Sequence, residues 1–163
     1  MNKKTTSLLV IIITLSLVLI YTLASTYAVI INVKEENGVK EIINVITLRD
    51  LVTNDDGTYN STYYDIKNEL NITDDEANLI MESERLNENL QIVLKTIVDY
   101  KLNNNTNAKL SNEEIYNLIA DGVNNTNTLS QELKNKILDK SNKYKQDISD
   151  YVYDIEVNVL KGL

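Results

Sequence analysis

The sequence predicts a mainly α-helical protein: an N-terminal transmembrane helix over residues 5–32, then a small extracytoplasmic helical bundle over 33–163, with room for a short β-hairpin near residues 30–47. Three observations predict it. No charged side chain stands between Lys4 and Lys34. Thr or Ser stands three places before an acidic residue at several points where apolar periodicity begins, the pattern of a capping box. Apolar residues beyond position 70 recur at three- and four-residue steps, as on one face of a helix.

The first segment is centred on Leu8 to Ile13 and Leu15 to Ile20, and Ala28 to Ile31 extend it. A span needs roughly 20 mostly apolar residues, and this run is longer. As helix it satisfies its own backbone groups, which is what lets such a run sit in lipid. Lys3 and Lys4 mark residues 1–4 as a cytoplasmic stub by the positive-inside rule, while Lys34 is offset at once by Glu35 and Glu36. The expected location is the cell membrane, with a single pass and the C-terminal domain extracytoplasmic. A signal peptide is the competing reading, because Thr22-Leu23-Ala24 and Thr26-Tyr27-Ala28 each end in the small residue that cleavage needs. Cleavage there would give a secreted domain. Against it, the run exceeds the roughly 7–15 residues of a signal core. A buried core helix is a poor fit, since the run has no polar face.

Residues 33–52 admit two readings. Glu36-Asn37-Gly38 is a turn signal, and Val39 to Thr47 is rich in β-branched residues, which favours a strand. Ile42, Ile46, Arg49 and Leu51 or Val52 also share a helical face. The preferred sequence is strand, then a short helix opening at Thr47 with Asp50 as its capping partner. Asn54-Asp55-Asp56-Gly57 follows as a turn. It fails the calcium-loop register, because Val52 would occupy the first ligand position.

Thr73 with Glu76 opens a helix whose apolar stripe runs from Leu79 to Tyr100, either unbroken over 74–102 or interrupted near residues 83–87. Asn103 to Thr106 end it. Ser111 with Glu114 opens a shorter helix, and Gly122 is expected just past its end as a C-cap. The last and longest helix starts at Thr128 or Ser130. Its stripe is Leu133, Ile137, Tyr144, Ile148, Tyr151, Ile155 and Val159, weak only at Ser141. Glu132–Lys136 and Asp139–Lys143 are favourable four-apart pairs on the other face.

Two of the 16 basic residues precede the apolar segment, leaving 14 against 24 acidic ones and a formal net charge of −10 on the rest. Such a domain repels phosphates, so no nucleic-acid partner is expected. The chain has no Cys and no His. That removes disulfides, thiolate metal sites, cysteine nucleophiles and the usual proton-transfer group at neutral pH. No catalytic, cofactor-binding or metal-binding set of residues is predicted, and no cofactor.

Three weaker clusters each admit a plain structural role as well. Lys134, Lys136, Lys140, Lys143 and Lys145 could face an anionic partner, but interspersed acids suggest an ordinary solvated helix face. Tyr59, Tyr63, Tyr64, Tyr151 and Tyr153 could form a binding surface; with Phe and Trp absent, Tyr must also supply aromatic packing. Carboxylate pairs such as Asp55/Asp56, Asp74/Asp75/Glu76 and Glu113/Glu114 are the one catalytic kit on offer, and glycoside hydrolysis needs two carboxyls facing across a cleft. Asn-x-Thr triplets at Asn60, Asn71, Asn104 and Asn124 arise readily in an Asn-rich chain.

The functional expectation is a non-enzymatic, single-pass membrane protein whose helical domain makes protein–protein or assembly contacts, with a partner protein or with a second copy of itself. The alternatives are a sensory input domain of a membrane receptor, working with a partner or as part of a longer chain, and a carboxylate-dependent hydrolase of the cell envelope.

Overall fold

The computed structural model describes residues 29–155 and 157–161. Val29–Glu36 (β1) and Val39–Ile42 (β2) form an antiparallel hairpin, with Val33 opposite Ile42 and Glu36 opposite Val39. The two residues between them, Asn37 and Gly38, have φ of 52° and 79°. Positive φ at both centres is the type I′ turn that Asn-Gly favours, because its twist matches that of the strands.

Seven α-helices follow among the described residues: α1 Leu48–Val52, α2 Ser61–Leu70, α3 Asp74–Met81, α4 Glu84–Lys101, α5 Asn112–Asn124, α6 Gln131–Lys143 and α7 Ile148–Tyr153. Val157–Lys161 (β3) then pairs parallel to β1, Val29 opposite Val157 and Val33 opposite Lys161, giving the sheet order β2-β1-β3. Ile31 and Val33 are buried while Lys34 and Glu36 are exposed, so the helices cover one face of the sheet. One hydrophobic core joins that face to all seven helices.

The capping chemistry read from the sequence is present. Thr47 with Asp50, Thr73 with Glu76 and Ser111 with Glu114 are reciprocal boxes at the starts of α1, α3 and α5. Each satisfies two backbone donors that the first helical turn leaves without partners. The interruption near residue 83 is also there: Ser83 caps α4, its hydroxyl accepting from Leu86 N–H at 3.2 Å.

Other expectations are corrected. Most of the predicted span, 5–32, lies outside the described residues. Its last four, Val29 to Asn32, belong to β1, because Ile31 is needed in the core beneath the sheet. Among the described residues no helix is long and apolar enough to cross a membrane. Val29 to Asn32, expected in the span, are thus paired in the same sheet as Val33 to Glu36.

The hairpin expected near residues 30–47 ends at Ile42, so its second strand is shorter than the β-branched run Val39–Thr47. Ile43 N–H still donates to Asn32 O, but Asn44 Oδ1 takes the Asn32 N–H at 2.9 Å, and this side-chain bond ends the ladder. Helix α2 was not foreseen. Gly122 is not a C-cap but lies within α5, packed on Leu86.

The long final helix is broken in two. A 3-10 turn at Lys145–Asp147 separates α6 from α7, and Asn112 takes up the backbone groups that the break frees. Its Nδ2 donates to Gln146 O, and its Oδ1 accepts from Ser149 N at 2.7 Å. The end of the expected stripe, Val159, is on β3.

Candidate functional site

The lysine cluster becomes a site only in part. Helix α2 ends at Asn71, whose φ of 49° and ψ of 61° form a left-handed cap. That turn lays Glu69 and Leu70 against α6, and the two helices enclose a shallow groove of about 330 Å³ lined also by Lys136, Asp139, Lys140 and Lys143. Lys136 lies 3.1 Å from Glu132 on its own helix and donates to Asn71 O at 3.3 Å across the groove. A cation there meets the negative end of α2, where carbonyls lack partners. Lys140 stands 3.5 Å from Glu69, and Lys143 lies over the Tyr144 ring at 5.2 Å.

The other two lysines of the cluster point elsewhere. Lys134 donates to Asn124 O at 2.9 Å, at the end of α5. Lys145 pairs with Glu113 and sits 4.4 Å from the Tyr116 ring centre, at the start of α5. The groove therefore carries three ammoniums beside two carboxylates, a mixed-charge surface and not a convergent anion cradle.

Tyrosine is used mainly for packing. Tyr59 and Tyr63 stack with centroids 3.7 Å apart, and Tyr63 is buried. Tyr63 donates its hydroxyl to Asp74 Oδ1 at 2.8 Å, so burial, reinforced by that carboxylate, pushes the phenol well above its usual value. Asp74 is held low by Lys67 and by Tyr63. Tyr59 donates to Asn78 and accepts from Arg49 at 3.2 Å, and Arg49 also pairs with Glu82. Tyr64 alone of this group is open, at 54% exposure. In the second group the buried Tyr153 hydroxyl accepts from Leu110 N at 2.9 Å and bonds Thr96 at 2.8 Å, while Tyr151 is half-buried.

The carboxylate pairs do not face one another across a cleft. Asp56 accepts from Thr58 N–H and hydroxyl, which holds its carboxyl below the usual range and closes the turn around Gly57. Glu76 and Glu114 are engaged in their capping boxes, and Glu113 in its pair with Lys145. The Asn-x-Thr asparagines also have backbone roles. Asn60 caps α2, Asn71 ends it, Asn104 has a positive φ of 54°, and Asn124 closes α5.

One network escaped the sequence reading. Arg85 and Asn89 on α4 both reach Asp121 on α5, at 2.7 and 2.9 Å, and Asn125 joins at 2.8 Å. Asn89 is the first cause, and Arg85 the second, of a lowered Asp121 carboxyl. Asn89 also donates to Leu118 O, while its own Oδ1 is buried with no partner among the described residues. The signal available was the spacing of Arg85 and Asn89, four apart on one face. Pairing that face with Asp121 requires the tertiary fold.

Compared with protein-family models, with curated proteins and with solved structures, the chain matches none.

Proposed function

We propose that the chain is a single-pass, membrane-anchored protein whose extracytoplasmic helical domain makes assembly contacts with a protein partner or a second copy. The observation that carries the reading is the join at Val29. Thr5 to Ala28 is free of charge and long enough to span the hydrocarbon, and β1 begins at the next residue. An anchor ending near there would hold the domain close to the bilayer surface.

Contact by the domain fits the chemistry of its side chains. Its carboxylates and tyrosines are mostly spent on caps, pairs and packing. The α2–α6 groove offers paired charges of both signs, which suits the polar rim of a protein interface.

Intact mass on membrane and medium fractions of expressing cells tests the anchor. Full-length chain in the membrane fraction supports it; a species in the medium starting at Ser25 or Val29 overturns it in favour of a secreted domain. Lysine-reactive cross-linking in intact cells tests the contacts. An adduct that includes Lys136, Lys140 or Lys143 is expected, and monomer alone across reagents of several lengths removes the assembly reading.

A further inference from the structure

We propose that the loop Ile43–Val45 is a second membrane contact, seated in the interfacial layer of the extracytoplasmic leaflet beside the point where the chain leaves the bilayer. This rests on the anchored reading above. Because β2 is antiparallel to β1, its end runs back towards the start of β1, as far as the level of Val33. Ile42 lies opposite Val33, and Ile43 N–H donates to Asn32 O at 2.9 Å. At the usual rise of a strand, Asn32 is about 10 Å from Val29, where the apolar segment joins. The hairpin turn is at the far end, about 23 Å from Val29 along β1 by the same measure.

The side chains at the near end are unlike those expected of a loop in water. Ile43 is 55% exposed and Val45 76%, the two highest values among the large hydrophobics described. No charged residue stands between Glu41 and Arg49. The loop is also held from both sides. Asn44 turns inward, its Oδ1 accepting from Asn32 N–H, and Gln91 donates to Ile46 O just beyond. That clamp leaves Ile43 and Val45 projecting on either side of Asn44.

Aliphatic side chains fixed outward at the end next to an anchor are what an interfacial contact requires. The occupant would be lipid and not the headgroup charge, since the domain is acidic and the loop neutral.

The test uses the full chain in vesicles of zwitterionic phosphatidylcholine. The sequence contains neither Trp nor Cys, so each introduced reporter stands alone. Val45→Trp is expected to emit at shorter wavelength and to lose emission to lipids brominated near the headgroup. Val39→Trp, at the far end and 49% exposed, is expected to do neither. Because Trp itself favours interfaces, Val45→Cys and Val39→Cys provide the second measurement: a water-soluble maleimide should label position 45 several-fold more slowly than 39.

Equal quenching and equal labelling at the two positions, in protein that floats with the vesicles, overturn the loop contact and leave the anchor standing. Protein that fails to float overturns both.

Discussion

Gly122 sets how closely α4 and α5 approach each other. A Cβ at that position would stand 2.4 Å from Leu86 Cδ2 and 3.3 Å from Asn89 Nδ2. Two effects of Gly122→Ala compete. Helix propensity favours Ala by about 1 kcal/mol in a helix interior. Overpacking a filled core costs typically about 1–3 kcal/mol. Leu86 is fully buried and cannot swing into solvent, so the overpacking wins. Gly122→Ala is expected to lower stability by up to about 2 kcal/mol in urea unfolding, with a smaller penalty in a Leu86→Ala background. A neutral or stabilising Gly122→Ala would show that the helices can part at no cost. The sequence could not reveal this role. A glycine near the end of a periodic stretch reads as a C-cap until the neighbouring helix is in place, and here α5 runs on to Asn124.

At the scale of elements, short-range chemistry was legible and long-range chemistry was not. The boxes at Thr47, Thr73 and Ser111 depend on residues three apart, and all three mark helix starts. Helix α2 lacks a box. Its cap is Asn60, and only the steps Tyr63, Ile66, Leu70 betrayed its apolar face. The final helix was overextended because Tyr144, Ile148 and Tyr151 keep helical spacing through the 3-10 turn, and that turn depends on Asn112 from another helix.

The boxes also predict a pH dependence. Backbone and hydroxyl donors of Thr73 hold the Glu76 carboxyl below its usual value, and those of Ser111 do the same for Glu114. A depressed folded value means that the unfolded chain binds protons first as pH falls. The stabilisation is therefore complete above the unfolded Glu value of about 4.3 and is lost as pH drops through the lower, folded values. Urea midpoints at pH 7 and pH 3 should accordingly differ less for Glu76→Gln/Glu114→Gln than for the parent. An identical difference would mean that other carboxylates account for acid sensitivity. Independently of pH, Thr73→Ala or Ser111→Ala should each cost about 1 kcal/mol.

Over the whole molecule, the parallel pairing of β1 with β3 brings residues 29–33 and 157–161 into one sheet, with all the described helices between them in the chain. A five-residue run such as Val157–Lys161 has too few positions to separate a strand from the tail of a helical stripe, so this closure was hidden in the sequence. The groove was hidden for a related reason. Its lysines were visible, but their division between α2 and α5 depends on a helix that composition did not announce. The closure carries a consequence for stability. Val157 and Val159 pack against the core above the buried Ile31 and Val33. A chain ending at Ile155 would uncover those residues and turn β1 into an open edge on that side. Full burial of an aliphatic side chain contributes about 1.5–3 kcal/mol, so losing two partly buried valines and the shielding of Ile31 costs on the order of 2–3 kcal/mol. An open β1 edge also invites pairing between copies. The truncated protein is thus expected to unfold at lower temperature and to scatter light on heating, with the Ile31 and Val33 amides losing protection from hydrogen exchange before those of α4. Val159→Asp, which keeps the strand but sets a charge against the core, should shift the same amides in the same order. Unchanged protection at Ile31 in both variants would place the stability of β1 in the hairpin with β2, and β3 would then be an appendage of the fold and not its closure.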